Sequence, residues 1–128
     1  MVNANIQAGG NTRTGAQDRS ALISVYDISG VLERAFGRQL LSLIVGENVD
    51  AVQLWSTGDL EPSEENERRL RNAHKVYELL CTAEDDRTIR AWFMGMNSQL
   101  EDTSPAEALA DDQVRNVMVS ARAFVSAG

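Results

Sequence analysis

Gly46-Glu47-Asn48-Val49-Asp50-Ala51-Val52-Gln53-Leu54-Trp55-Ser56-Thr57-Gly58 is the stretch on which the rest of the chain turns. Two glycines bound it, and between them Val52 and Trp55 stand at the i, i+3 spacing of a short helix over Val49 to Ser56. Thr57, Gly58 and Asp59 end that helix. Immediately upstream, Leu40, Leu41, Leu43, Ile44 and Val45 form a short apolar helix that stops at Gly46. Two short helices joined by a tight glycine-containing turn are the helix-turn-helix unit.

Working toward the N-terminus, Ile28, Val31, Leu32, Ala35 and Phe36 repeat at helical spacing and predict a first helix over about Ser20 to Phe36. Gly30 permits a break near Ser29, and Gly37 is the stop. Met1 to Arg19 is rich in Gly, Asn, Thr and Gln, which predicts a disordered arm. The start carries no basic-then-apolar leader. No apolar run approaches the roughly 18 residues that span a bilayer. With a single cysteine, Cys81, a cytoplasmic protein without membrane contact is expected.

Toward the C-terminus, Pro62 breaks the chain and Ser63 caps a long helix running to about Thr82. Glu64, Glu65 and Glu67 crowd its first turn, where the helix dipole favours negative charge. Leu70, Ala73, Val76, Tyr77 and Leu80 are its buried stripe. Glu84, Asp85 and Asp86 start another helix, whose apolar face is Ile89, Trp92, Phe93 and Met96. Gly95 to Thr103 reads as a loop. Ser104-Pro105-Ala106-Glu107 reads as a helix start, with Ser104 as cap, proline at the first position and Glu107 closing a capping box. Asp111 or Asp112 is then expected to cap a last helix with the stripe Val114, Val117, Met118, Ala121 and Val125. The expected fold is all-α. A disordered arm (1–19) precedes a helix-turn-helix region (20–62), followed by a long helix and a small C-terminal helical lobe (63–128).

Two segments together resemble the MbcA/ParS/Xre antitoxin family. Gly46 to Gly58 is similar to an Xre-type helix-turn-helix, with its glycine turn, tryptophan and following glycine. Ile89-Arg90-Ala91-Trp92-Phe93, then Asn97 and Leu100, then Ser104-Pro105-Ala106-Glu107-Ala108-Leu109, resembles that family's toxin-binding domain. The likeness covers about Ile28 to Gly128. It implies an antitoxin, a homodimer, that neutralises a RES-domain toxin degrading NAD and that also represses its own operon. The surface it implies for blocking the toxin is the last helix and chain end: Arg115, Arg122, Phe124, Val125 and Gly128. Arginine and aromatic side chains are common interface anchors.

The residues also permit a DNA-binding regulator without a toxin, such as a phage-type repressor, or a plain assembly protein. Base readout uses Arg or Lys on guanine and Asn or Gln on adenine, and near the second short helix only Asn48 and Gln53 qualify. That helix has no Lys or Arg. Phosphate contacts would fall to Arg34, Arg38, Arg68, Arg69 or Arg71. Nineteen acids against twelve bases, a net charge of −7, work against DNA and suit a basic partner better. For catalysis, the only histidine, His74, sits mid-helix as a structural residue. Cys81, on about the same face, lies near a helix C-terminus, where the dipole disfavours thiolate. No further His or Cys completes a metal site, and Gly9-Gly10 begins no phosphate loop. No enzyme activity, cofactor or metal is expected. Trp92, Phe93, Met94 and Met96 read as core, with a self-association surface as the alternative.

Overall fold

The computed structural model describes residues 23–127, so the Met1 to Arg19 arm, the Ser20 to Leu22 start of the first helix and Gly128 lie outside the described residues. Within them the chain is all-α. The helices are α1 (Val25–Phe36), α2 (Arg38–Val45), α3 (Val49–Thr57), α4 (Glu64–Cys81), α5 (Asp86–Met94), α6 (Pro105–Ala110) and α7 (Val114–Ala127), with a 3-10 turn at Ser98–Leu100. Capping side chains mark most of the breaks. Ser24, Asn48, Ser63, Asp85 and Ser104 each accept the N–H three residues on, which satisfies a donor that the first helical turn leaves unpaired.

Glycine does what side chains cannot at two corners. Gly37 has φ 85 and ψ 155, a region essentially reserved for glycine, and it ends α1 while starting α2. Gly46, at φ 77 and ψ 30, turns α2 into α3 and donates its N–H to the Ser42 carbonyl. Gly30, by contrast, sits inside an unbroken α1, so the break allowed for near Ser29 does not occur. Tertiary packing of Ile28, Leu32 and Ala35 carries the helix through that position.

The buried side chains form one continuous cluster built around α4. Leu70, Ala73, Val76 and Leu80 are fully buried, and Tyr77 is half-buried. Helices α1 and α7 both pack against α4, while α2 packs against α6. From the helix-turn-helix, Val52 and Trp55 point into this core as their spacing requires. Two local expectations are corrected. Helix α5 ends at Met94, so Met96 lies beyond it and is 84% exposed rather than on its apolar face. Neither Asp111 nor Asp112 caps α7. Both close α6 instead: Asp112 takes φ 62, its N–H reaches the Leu109 carbonyl, and the Gln113 N–H reaches that of Ala108. That is a Schellman closure with aspartate in the usual glycine position.

His74 is buried on α4 with its Nδ1 finding no hydrogen-bond partner among the described residues. Burial pushes its pKa below the ordinary value, against the pull of Glu78 at 3.8 Å.

Two tests follow from this packing. Alanine at Gly37 meets no steric clash, so its cost is pure backbone strain: Gly37→Ala lowers stability by about 1–3 kcal/mol. Gly30→Ala, whose new Cβ meets only the flexible end of Arg34, raises stability by about 0.5–1 kcal/mol. Urea titrations should show the two shifts with opposite signs. The second test concerns His74, which the unfolded chain protonates more readily than the folded one. Its contribution is therefore complete above the ordinary pKa of 6.5 and is lost as pH falls below it. The denaturation midpoint should drop as pH falls below about 6.5, and His74→Leu should flatten that drop.

Candidate functional site

The C-terminal end of the fold is assembled by a chain of aromatic rings running outward from the core. Tyr77 meets Phe36 edge-on at 5.7 Å, Phe36 meets Phe93 at 4.8 Å, Phe93 meets Trp92 at 5.1 Å, and Trp92 meets Phe124 at 6.0 Å. Phe93 is fully buried, while Trp92 and Phe124 are half-buried at the surface. Each ring pair adds roughly 0.5–1.5 kcal/mol beyond its buried area, and the series fixes the end of α7 against α5.

Beside the last pair lies a shallow groove of about 350 Å³ lined by Trp92, Met96, Asn97, Ser120, Ala123 and Phe124, among others. Asn97 organises its far wall. The Asn97 side chain accepts the Gln99 N–H at 2.9 Å, its carbonyl takes the N–H groups of Leu100 and Asp102, and its own N–H reaches the Thr103 carbonyl. Buried Leu100 ties that turn to the core, and the turn then passes through Glu101 and Asp102, both at positive φ. Met96 lines the groove, and both Met94 and Met96, read from the sequence as core, are exposed instead.

The sequence-predicted toxin-facing residues divide between two sides of α7. Val117, Ser120 and Ala121 are buried, and Phe124 falls in line with them at the helix end. Val125 is likewise packed against the core. Arg115 and Arg122 are exposed on the opposite side, seven residues apart and so on one face. Between them stands Val119, 55% exposed, which sequence reasoning missed. Its signal was the i, i+4, i+7 spacing with the two arginines. Ser120 was also missed: its hydroxyl is buried and finds no partner among the described residues, unlike that of Ser29, which donates to the Val25 carbonyl.

The candidate DNA-facing residues are mostly engaged within the chain. Arg38 pairs with Glu33, which also accepts the Ser56 hydroxyl. Asn48 is occupied in capping α3 through the Ala51 N–H at 2.8 Å. Arg68 pairs with Glu65 at 2.8 Å and Asp112 at 3.2 Å. Arg69 pairs with the same two carboxylates and donates to the Ala110 carbonyl at 2.8 Å. Arg71 pairs with Glu67 and donates to the Ile23 carbonyl, each at 2.9 Å. Gln53 and Arg34 are exposed. The two arginines beside Glu65 hold its carboxyl below the usual range, Arg69 the more strongly.

His74 and Cys81 are not presented together: the first is buried, the second exposed at the last turn of α4. No group of three or more His, Cys, Asp or Glu among the described residues could hold a metal ion. No described helix is long and apolar enough to cross a membrane.

No protein-family model matches this chain, and no curated protein matches it. Among solved structures it is similar to a chain in the crystal structure of the M. tuberculosis MbcT-MbcA toxin-antitoxin complex. The match has 23% identity and a TM-score of 0.70, covering 80% of this chain and 94% of that one. The chain therefore shares its all-α fold with a chain of that complex.

Proposed function

We propose that this protein is the antitoxin of a toxin–antitoxin pair, and that it binds and neutralises a RES-domain, NAD-degrading toxin through its C-terminal lobe. The observation that carries the reading is the fold shared with a chain of the MbcT-MbcA complex over nearly that chain's whole length. Two features of the molecule support it. The C-terminal end offers outside matter both a groove edged by Trp92 and Phe124 and an outer face bearing Arg115 and Arg122. The aromatic series behind it gives a rigid backing, which lowers the ordering cost of docking.

Operator binding is the secondary part of the reading. Gln53 is exposed on α3, and Arg34 is exposed on α1 without an ion pair among the described residues. Arg38, Arg68, Arg69 and Arg71 would each have to leave a carboxylate of their own chain to neutralise a phosphate. A toxin-free repressor is therefore the weaker alternative. Homodimerisation would draw on Tyr26, Leu54 and Leu60. These are all exposed, with Tyr26 lying against Gly58 and the Leu60 N–H on the Leu54 carbonyl.

Co-expression with the toxin encoded beside this gene tests the proposal. Cells carrying both should keep their NAD and grow, and the two proteins should co-elute as a stable complex. A toxin that remains fully active beside an abundant, folded partner would overturn the antitoxin reading. A specific, salt-sensitive shift of upstream DNA by the isolated protein, without any toxin complex, would favour the repressor.

A further inference from the structure

Arginine in this protein sits in several settings: Arg90 donates to the Ala35 carbonyl at 2.8 Å, and exposed Arg34 makes no ion pair or hydrogen bond among the described residues. On α4 and at the start of α2, arginine faces carboxylates of the same chain, as described above. On α7 there is nothing to face: Val114 to Ala127 contains Arg115 and Arg122 and no acidic residue, in a chain of net charge −7. Both side chains are exposed, and among the described residues neither makes an ion pair or hydrogen bond. They lie on the side of the helix away from buried Val117 and Ala121. The large aliphatic side chain Val119 stands in the open between them. Helical rise places the two guanidinium-bearing positions about 10 Å apart along the axis, within one narrow arc.

We propose that Arg115, Val119 and Arg122 form a docking stripe for an acidic surface of the toxin, on which two carboxylate groups flank an apolar side chain. The inference rests on the antitoxin reading and adds the chemistry of the surface that the helix meets. Charge complementarity argues for it. A predominantly acidic molecule that leaves two arginines of one helix unpaired, on one face, presents a local positive stripe in a negative field. Arginine forks pair two-pronged with carboxylates, and the valine between them excludes water from the centre of the contact. A carboxylate partner fits this arrangement better than nucleic acid does, because the acidic remainder of the chain would repel an extended phosphate backbone.

Titration calorimetry of the full chain against the purified toxin, at low and at raised salt, tests the stripe. The parent should bind tightly, more weakly as salt rises. The double variant Arg115→Glu/Arg122→Glu should bind at least about tenfold more weakly and lose most of the salt dependence. Val119→Asp should weaken binding by a similar factor, whereas Arg115→Lys/Arg122→Lys should retain the charge-dependent part. Because all three positions are exposed, melting curves should match the parent, as should those of a control, Lys75→Glu, on the exposed side of α4, which should bind normally. If the parent binds tightly and the double glutamate variant binds within about twofold of it, the stripe is not the docking face. If the double variant keeps toxin binding but loses affinity for a DNA duplex, the arginines belong to phosphates and the proposal is likewise overturned. If the parent itself does not bind, the underlying antitoxin reading falls, which is a separate result.

Discussion

The burial of one stripe on α4 is the constraint on which the other helices depend. Leu70, Ala73, Val76 and Leu80 have no exposed surface, and α1 and α7 are both seated on that helix. Each large aliphatic side chain so buried is worth roughly 1.5–3 kcal/mol, and Ala73 lets neighbouring helices approach closely. Exposed ion pairs contribute about 0–1 kcal/mol each. Apolar burial therefore holds α7 in place, and the polar groups around it act on its direction.

That directional role falls to the corner before α7. Arg69, mostly shielded from water, reaches both the Ala110 carbonyl and the Asp112 carboxylate, and Arg68 takes the other oxygen of Asp112. The corner needs such a clasp because Asp112 occupies a left-handed conformation without being glycine. A carboxylate that is held from outside while its own backbone turns sharply defines the angle at which α7 leaves α6. Residues on α4 that look, in sequence, like a basic patch are in this way committed to orienting the C-terminal helix.

Most helices were legible because their signals are local. Ser63 before the acidic run, Ser104-Pro105 and the glycines at 37, 46 and 58 each act through the chain within a few residues of themselves. Apolar periodicity placed Leu70 to Leu80 on one face for the same reason. What was not legible is what depends on a distant partner. Asp112 reads as a helix cap until Arg68 and Arg69, more than forty positions away, are seen to hold it. Met96 reads as part of the α5 face because spacing alone does not say that the helix stops at Met94. At the candidate site, Arg115, Arg122 and Phe124 come from the family resemblance rather than from a local signal. Their division between two sides of α7 depended on which face α4 buries, and Val119 was overlooked because a lone valine carries no polar signal.

The same physics explains why the helix-turn-helix keeps its shape whatever its outer side does. Val52 and Trp55 of α3 are core residues, and α1, α2 and α3 pack on one another. Removing the motif would open the core, so packing retains its shape whatever its exposed side does. The exposed side is free to change: Asp50 is exposed on α3, and Glu47 accepts a hydrogen bond from Asn66 of α4 at 3.2 Å. Selection on the interior thus keeps a recognisable fold while charge on the exterior decides its partner. On that exterior, α7 carries Arg115 and Arg122 and no acidic residue.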